Sequence, residues 1–454
     1  MACDNDPNHP PPAKRSASPD RSATTIDSLG DDIILEIFLR LPCFTALVRA
    51  AFTRRAWRRA VASSPSFRRR FRELHRAPFL GVFFSPVNDD DARDVLVFPP
   101  FAPSRCPDRD LAGVIRSGDF FLTSIPVSPG AAPSWDMVDC RGGFVLLGDW
   151  TAESYAVLNP STRKVHGFFD IPWDILVHHC GYHPILHDTH LICSDEDPMS
   201  FRVICLVHDD SFMMRVAVFS SATREWSVLP WVEASPRPHC EGFCFERGVE
   251  ESESDCKYFC IEKGTQDSGL FIYWPFKSRK SFIMLDTSTM ELSVAQLPLH
   301  LKNRDHIHSF VIGDTEDGLP CIVYAAKFNI GVLLRNADDG YERWVLDRLH
   351  SLKEQVGRVL RALPDYISGL NVTAIRNGYV YLKTVGLHDN PQAPCWFFSL
   401  CLETMELGKV LKTIYDSDMH PYNMPWPPCL VGDYGRFADE AAPGSTKCPG
   451  AVET

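Results

Sequence analysis

The sequence predicts a small all-α module followed by a large all-β domain, a β-propeller of about six blades. Two observations predict it. A dense helical pattern is confined to residues 25–76, and a strand–turn–strand unit recurs through most of the chain after about residue 136.

The first twenty-four residues are rich in Pro, Asp, Ser and Asn and are expected to be disordered. Ile33, Ile34, Ile37 and Leu41 then recur at helical spacing and give one apolar stripe. Ser28 and Asp31 have the spacing of a capping box, and Asp31 and Asp32 suit the positive end of the helix. Pro42 stops the helix by forcing Leu41 out of helical geometry. Thr45 is placed to cap a second helix over Ala46 to Phe52, and Thr53 a third around Trp57. Pro65 breaks that helix, and Phe67, Phe71 and Leu74 begin another stripe. Leu35, Phe38 and Leu39 fall on other faces of the first helix, so it needs partners on more than one side. It either docks another protein or caps the large domain. Burial of Leu35, Phe38 and Leu39 against that domain would mark a cap, and their exposure a docking surface.

Residues 25–76 resemble an F-box, the helical motif that binds the Skp-type adaptor of cullin-based ubiquitin ligases. The resemblance rests on Leu29, Asp32 to Ile37, Arg40-Leu41-Pro42, Arg55-Ala56-Trp57-Arg58 and Ser64-Pro65-Ser66-Phe67. Two positions depart from the pattern. Gly30 stands where proline is usual, and Thr53-Arg54 where Val-Cys is usual. The resemblance implies adaptor binding through Leu29, Ile33, Ile34, Ile37, Leu41, Pro42 and Trp57.

The large domain is expected over residues 77–432. Phe79 to Phe84 and Val95 to Phe98 read as its first strands, separated by an acidic turn. The repeat then sets in. Tyr155 to Arg163, Val216 to Arg224, Phe282 to Met290 and Phe397 to Met405 each give an apolar strand and a small polar turn, with Thr162, Thr223, Thr289 and Thr404 at the same place. A weaker copy runs from Val332 through Gly340 to Leu346. The units lie roughly sixty residues apart, which suits propeller blades with long loops. Gly143 to Leu147, Gly242 to Phe245, Leu270 to Tyr273 and Asn377 to Tyr381 supply further strands, giving about four per unit. A lone blade cannot bury both faces, so blades stack and the ring closes. Residues 348–362 read as a helical insertion, and residues 433–454 as a disordered tail. The pairing of module and repeat resembles plant F-box proteins with an F-box-associated propeller, the match running through Asp139 to Leu147 and Tyr155 to Arg163.

Charge narrows the function classes. Residues 40–76 hold eleven arginines against one acid, Glu73, although the whole chain carries −12. The arginines spread around several helix faces without stacking aromatics, and the rest is strongly acidic. An acidic protein partner is expected, and no nucleic acid. No apolar run approaches the ~18 residues of a membrane span, and the N-terminus lacks a signal-peptide core, so a cytoplasmic or nuclear protein with free thiols is expected. Cys240, Cys244, Cys256 and Cys260 are spaced as a pair of pairs, but Cys244 and Cys260 fall in strand-like runs and no zinc is expected. His178, His179, His183, His187 and His190 have no ligand spacing, and the Glu250–Asp255 run lacks a calcium loop's alternation. No phosphate loop, dinucleotide fingerprint or nucleophile elbow is present. The resemblance to F-box proteins, together with the first helix's need for a partner, implies a ubiquitin-ligase receptor with no catalytic residue or cofactor, its propeller holding a target protein. The alternative is a propeller enzyme or small-ligand binder with a helical cap.

Overall fold

The computed structural model describes residues 29–86, 98–104, 108–126, 135–176, 184–194, 197–209, 213–233, 261–267, 270–276, 281–302, 307, 309–336, 343–386, 394–413 and 417–431. Four helices open the chain: α1 (Asp31–Leu39), α2 (Phe44–Phe52), α3 (Arg55–Ser63) and α4 (Pro65–Leu74). Only α4 has a side-chain cap among them. Ser64 accepts from the Phe67 N–H, and Pro65 occupies the first turn. The caps expected at Thr45 and Thr53 are replaced by Cys43 and Arg54, neither with a side-chain cap bond, and α2 begins earlier than expected. Thr53 instead donates back to the Ala50 carbonyl. Helix α1 starts at Gly30, again without a side-chain cap, and ends at Leu39, ahead of Pro42.

The strands form six sheets. β1 (Phe79–Pro86) and β2 (Phe101–Pro103) are followed by α5 (Arg109–Ser117). The second sheet holds β3 (Asp136–Arg141), β4 (Phe144–Asp149), β5 (Ser154–Asn159) and β6 (Lys164–Asp170), and α6 (Trp173–Leu176) follows. The third holds β7 (Ile185–Cys193), β8 (Phe201–His208), β9 (Met213–Ser220) and β10 (Glu225–Val228), with β11 (Val232–Glu233) added on β9. The fourth comprises β12 (Thr265–Gln266), β13 (Phe271–Pro275), β14 (Ser281–Asp286) and β15 (Glu291–Gln296). The fifth comprises β16 (Ser309–Asp314), β17 (Pro320–Ala326), β18 (Asn329–Asn336) and β19 (Arg343–Ser351), with α7 (Lys353–Leu360) after it. The sixth comprises β20 (Ile367–Arg376), β21 (Tyr379–Gly386), β22 (Cys395–Cys401) and β23 (Leu407–Thr413). The chain then returns as β24 (Ser417–Asn423), which pairs antiparallel with β1 from Phe79 opposite Asn423 to Pro86 opposite Ser417.

That last pairing closes a six-bladed β-propeller. The first blade is β2-β1-β24, so it joins both ends of the domain. β24 takes the innermost place, packed between β3 and β20. An apolar cluster fills each seam of the ring. Phe83 and Leu147 meet in the first seam, Tyr155 and Val203 in the second, Ile204 and Ile283 in the third. Tyr273 and Ile322 meet in the fourth, Val323 and Leu370 in the fifth, Phe397 and Met419 in the sixth. Middle strands are covered on both faces. This is why Phe144 to Leu147 and Cys321 to Ala325 are continuous apolar runs, while the outer strands β10 and β15 alternate.

The threonine-marked turns take equivalent corners. Each links the third and fourth strands of its blade and ends in a left-handed residue: Arg163 (φ 58°), Arg224 (φ 59°), Met290 (φ 60°) and Met405 (φ 55°). The left-handed residue donates its N–H back across the turn, to Pro160, Ser220, Asp286 and Cys401 respectively. The fifth turn, residues 337–342, lies outside the described residues, as do residues 1–24 and 433–454, Val95 to Val97, Gly242 to Phe245, the four cysteines 240, 244, 256 and 260, His178, His179, His183 and the Glu250–Asp255 run. The expected insertion at 348–362 is part strand: β19 runs to Ser351, and only Lys353–Leu360 is helical.

Candidate functional site

The helical module has its own core. Ile34, Phe38, Phe44, Leu47, Val61, Phe67 and Phe71 are buried together with Trp426 and Leu430 from the segment after β24. The Phe44 ring stands edge-on to Phe71 at 5.2 Å, and Trp426 packs on Phe44, Phe67 and Phe71 at 5.5, 6.5 and 6.1 Å. Phe38 and Leu39 are buried and Leu35 half-buried, but against these helices and Trp426 rather than against the sheets. Neither sign set for cap or docking surface is met as stated.

The stripe expected on α1 is corrected. Its core face is Ile34, Phe38 and Leu39, while Ile33 is 52 % and Ile37 40 % exposed. A helix apolar on nearly every side gives its period no single direction, so only packing chooses the face. Of the seven residues assigned to adaptor binding, Ile34 lies in the module core. Leu29, Leu41 and Trp57 are half-buried at its edge, and Ile33, Ile37 and Pro42 are exposed. Trp426 and Leu430 were not legible as module residues. Their only signal is an isolated apolar Trp among prolines near the end of the large domain.

The module sits where the inner strands end. Arg76 pairs with Glu316 and Glu403 and lies over the Tyr379 ring, all three at the turn ends of the fifth and sixth blades. Arg49 pairs with Asp110 on α5. Gly143, at φ +85°, faces Pro425 so closely that a Cβ there would lie 2.2 Å from the proline Cβ. Tyr422 donates to the Gly143 carbonyl at 2.9 Å, fixing the start of the returning segment.

Polar side chains tie the inner strands together across the channel. Arg141 donates to the Gln266 and Asp267 carbonyls at 3.3 and 2.7 Å. Asp139 accepts from the Leu191 N–H at 2.9 Å, with an Arg376 nitrogen 3.9 Å away. Burial pushes the Asp139 carboxyl up, but Arg141, Arg376 and His190 outweigh it and hold it below the usual range. Asp188 is likewise penalised by burial, yet His190 and the Gly264 N–H bring it to about 2. Lys263 reaches Asp418 at 3.2 Å. These groups use one another as partners, which reads as cross-bracing.

Two features of this bracing are testable. Gln266 is 2 % exposed, and neither of its amide atoms has a hydrogen-bond partner among the described residues. Gln266→Met keeps the size and removes the unpaired dipole, so the unfolding free energy from urea titration is expected to hold or rise, by up to about 2 kcal/mol. A fall would mean that the amide makes a bond of value. Burial, with Lys263 adding to it, pushes His420 down to about 4, and burial with Lys164 does the same to His166. Both histidines are neutral when folded and titrate near 6.5 when unfolded, so the unfolded chain binds more protons between those values. Stability is full above about pH 6.5 and is lost as pH falls towards 4. For His420 the loss reaches at most about 2 kcal/mol by pH 5. Melting temperatures measured from pH 7.5 to 5 should fall less steeply in His420→Gln than in the parent. Parallel profiles would exclude His420 as a cause.

A cleft of about 700 Å³ opens on the other face, where β3 and β7 begin. Trp150 and Glu153, from the turn between β4 and β5, form one wall, and Trp173 of α6 another. Asp188 and Lys263 reach its floor from the channel side. None of these was singled out by sequence, because three blades contribute them. Among the described thiols, burial pushes Cys205 up to about 12 and raises Cys140 well above the usual thiol range, whereas at Cys401 burial is outweighed by hydrogen bonds from Thr404, Glu403 and Arg76, which lower it, and Cys43 is exposed. Among the described residues no cluster of metal-binding side chains occurs, and no helix is long and apolar enough to cross a membrane.

No protein-family model matches this sequence, and no curated protein matches it. Solved structures match at low identity. The β-propeller domain of Cps50 (Swd1) from Myceliophthora thermophila is 12 % identical, covering 60 % of this chain and 84 % of that one, with a TM-score of 0.30. Virginiamycin B lyase from Staphylococcus aureus is 8 % identical, covering 74 % and 87 %, also at 0.30. A protein from Lactobacillus plantarum is 12 % identical, covering 63 % and 73 %, at 0.34. Superpositions this loose carry no functional argument. The propeller rests on the six sheets and the β1–β24 closure.

Proposed function

We propose that this chain is the target-binding subunit of a cullin-based ubiquitin ligase of the F-box type, its helical module docking a Skp-type adaptor and its propeller holding the protein to be modified. One observation carries the reading: a separately cored helical module leaves Ile33 and Ile37, one helical turn apart, exposed beside Pro42. Apolar side chains left outside a completed core suit a protein partner. The F-box-like residues from Leu29 to Phe67 agree with that partner. The module lies on the propeller face opposite the cleft, so adaptor and target would be held on opposite sides.

The subunit contributes proximity, which raises the effective concentration of the target near the conjugating machinery. It needs no catalytic side chain and no cofactor, and it acts in cytoplasm or nucleus. The cap reading is the weaker one, because among the described residues no strand residue enters the module core. The deciding experiment mixes the purified full chain with a purified Skp-type adaptor and follows the pair by size exclusion. A co-eluting complex supports the reading, and two separate peaks at micromolar concentration reject it.

A further inference from the structure

We infer that the cleft between the second and third blades is the propeller's grip on its protein partner, and that it selects an extended segment bearing a lysine or arginine. The inference deepens the receptor reading by naming the class of segment held, and it rests on that reading for the partner being a protein.

The walls are the first reason. Trp150 is 46 % exposed, and Trp173 lines the cleft with it. An indole face left to water suits the aliphatic stem and cationic head of a long basic side chain. Charge is the second. Glu153 shares the turn of Trp150, and Asp174 neighbours Trp173 in α6; both are exposed. Among the described residues no basic side chain pairs with either carboxylate. Lys263, the one lysine or arginine among the described residues lining the cleft, is held by Asp418. Arg215, which reaches the Ile175 carbonyl on this side, bonds backbone oxygens and lies over Trp231. Asp188 on the floor is already bonded to the Gly264 and Trp274 N–H groups and to His190 at 3.0 Å, so it offers no free geometry and the open negative charge is that of Glu153 and Asp174. Space is the third. About 700 Å³ exceeds one side chain and fits a short stretch of extended chain. An acidic or phosphorylated segment would meet repulsion from the same carboxylates.

The test uses the full chain and three pools of short fluorescein-labelled peptides, with Lys or Arg, norleucine, or Glu at the centre. Anisotropy is read at about 0.15 M salt, where the Debye length is about 8 Å and distant charges are screened. The cationic pool is expected to bind at least about fivefold tighter than norleucine, with Glu weakest. Trp150→Ala and Glu153→Gln should each weaken it about fivefold to tenfold. Asp317→Asn removes an equal charge from the turn between β16 and β17, on the opposite face, and should leave binding unchanged. Equal binding of the norleucine pool overturns the inference. So does an equal loss in Asp317→Asn, since a diffuse acidic field would then explain the binding. If the adaptor fails to bind but the cationic pool behaves as stated, the receptor reading falls and the cleft stands. If the adaptor binds and the pools do not differ, the cleft assignment falls alone.

Discussion

Trp426→Ala is expected to cost the helical module about 3–5 kcal/mol, enough to unfold it at ordinary temperature. The indole is 2 % exposed and meets Phe44, Phe67 and Phe71, while its N–H is held by the Leu430 carbonyl at 3.2 Å. Removing it leaves a cavity between α2 and α4 that short helices have little else to fill. A module this small carries only a few kcal/mol of its own stability. The propeller does not depend on that indole: its seams contain neither Trp426 nor Leu430. The expected melt therefore separates. Helical ellipticity is lost early, cleavage appears within residues 31–74, and the β signal persists. Trp426→Phe should recover much of the loss by refilling the apolar space. A single unchanged transition in Trp426→Ala would show that the returning segment does not complete the module.

Ile37→Glu is expected to abolish adaptor binding while leaving both folded units intact. Ile37 is 40 % exposed, so in the free chain a carboxylate there remains solvated and costs little. Docking would bury the same carboxylate against an apolar partner, with no positive group supplied by α1, and that desolvation is worth several kcal/mol. Ile33→Glu should behave alike. Leu41-Pro42→Ala-Ala is less clean, because Leu41 is packed on the module core and its loss also costs stability. The measurement is a pull-down with purified adaptor beside a thermal melt of the same proteins. Retained binding in Ile37→Glu would reject the docking face; lost binding with an early propeller transition would return the cap reading. Gly30 offers the opposite change. Its φ of −67° already suits proline, and nothing lies within 4 Å of a Cβ there. Gly30→Pro should stabilise the module by about 0.4–1 kcal/mol and tighten the complex.

Much of the ring was legible because a propeller writes itself locally. Each buried strand needs an apolar run, and each corner between third and fourth strands needs a tight turn. Thr162, Thr223, Thr289 and Thr404 therefore recur before a left-handed residue. The closing strand was not legible. His420-Pro421-Tyr422 has no strand pattern, and it becomes the innermost strand of the first blade only by pairing with Val82, Gly81 and their neighbours, more than three hundred residues away.

The existence of α1 followed from its sequence, but its orientation did not. Ile33, Ile34, Ile37, Phe38 and Leu39 are all apolar, and period alone cannot rank faces that are equally greasy. Packing on α3 and α4 settles the matter: Phe38 meets Trp57 edge-on at 5.7 Å, and Ile34 and Phe38 share the module core with Val61, Phe67 and Phe71, which leaves Ile33 and Ile37 outside. The cleft is a still stronger case. Trp150, Glu153, Trp173, Asp188 and Lys263 come from three blades and share no spacing in the chain. By itself, then, the sequence determined the helical start, the repeat and the blade corners, since those depend on neighbours within a few residues. Ring closure, the exposed face of α1 and the acidic aromatic cleft were decided by the tertiary structure, because each is made by contacts between segments whose separation along the chain carries no periodic signal.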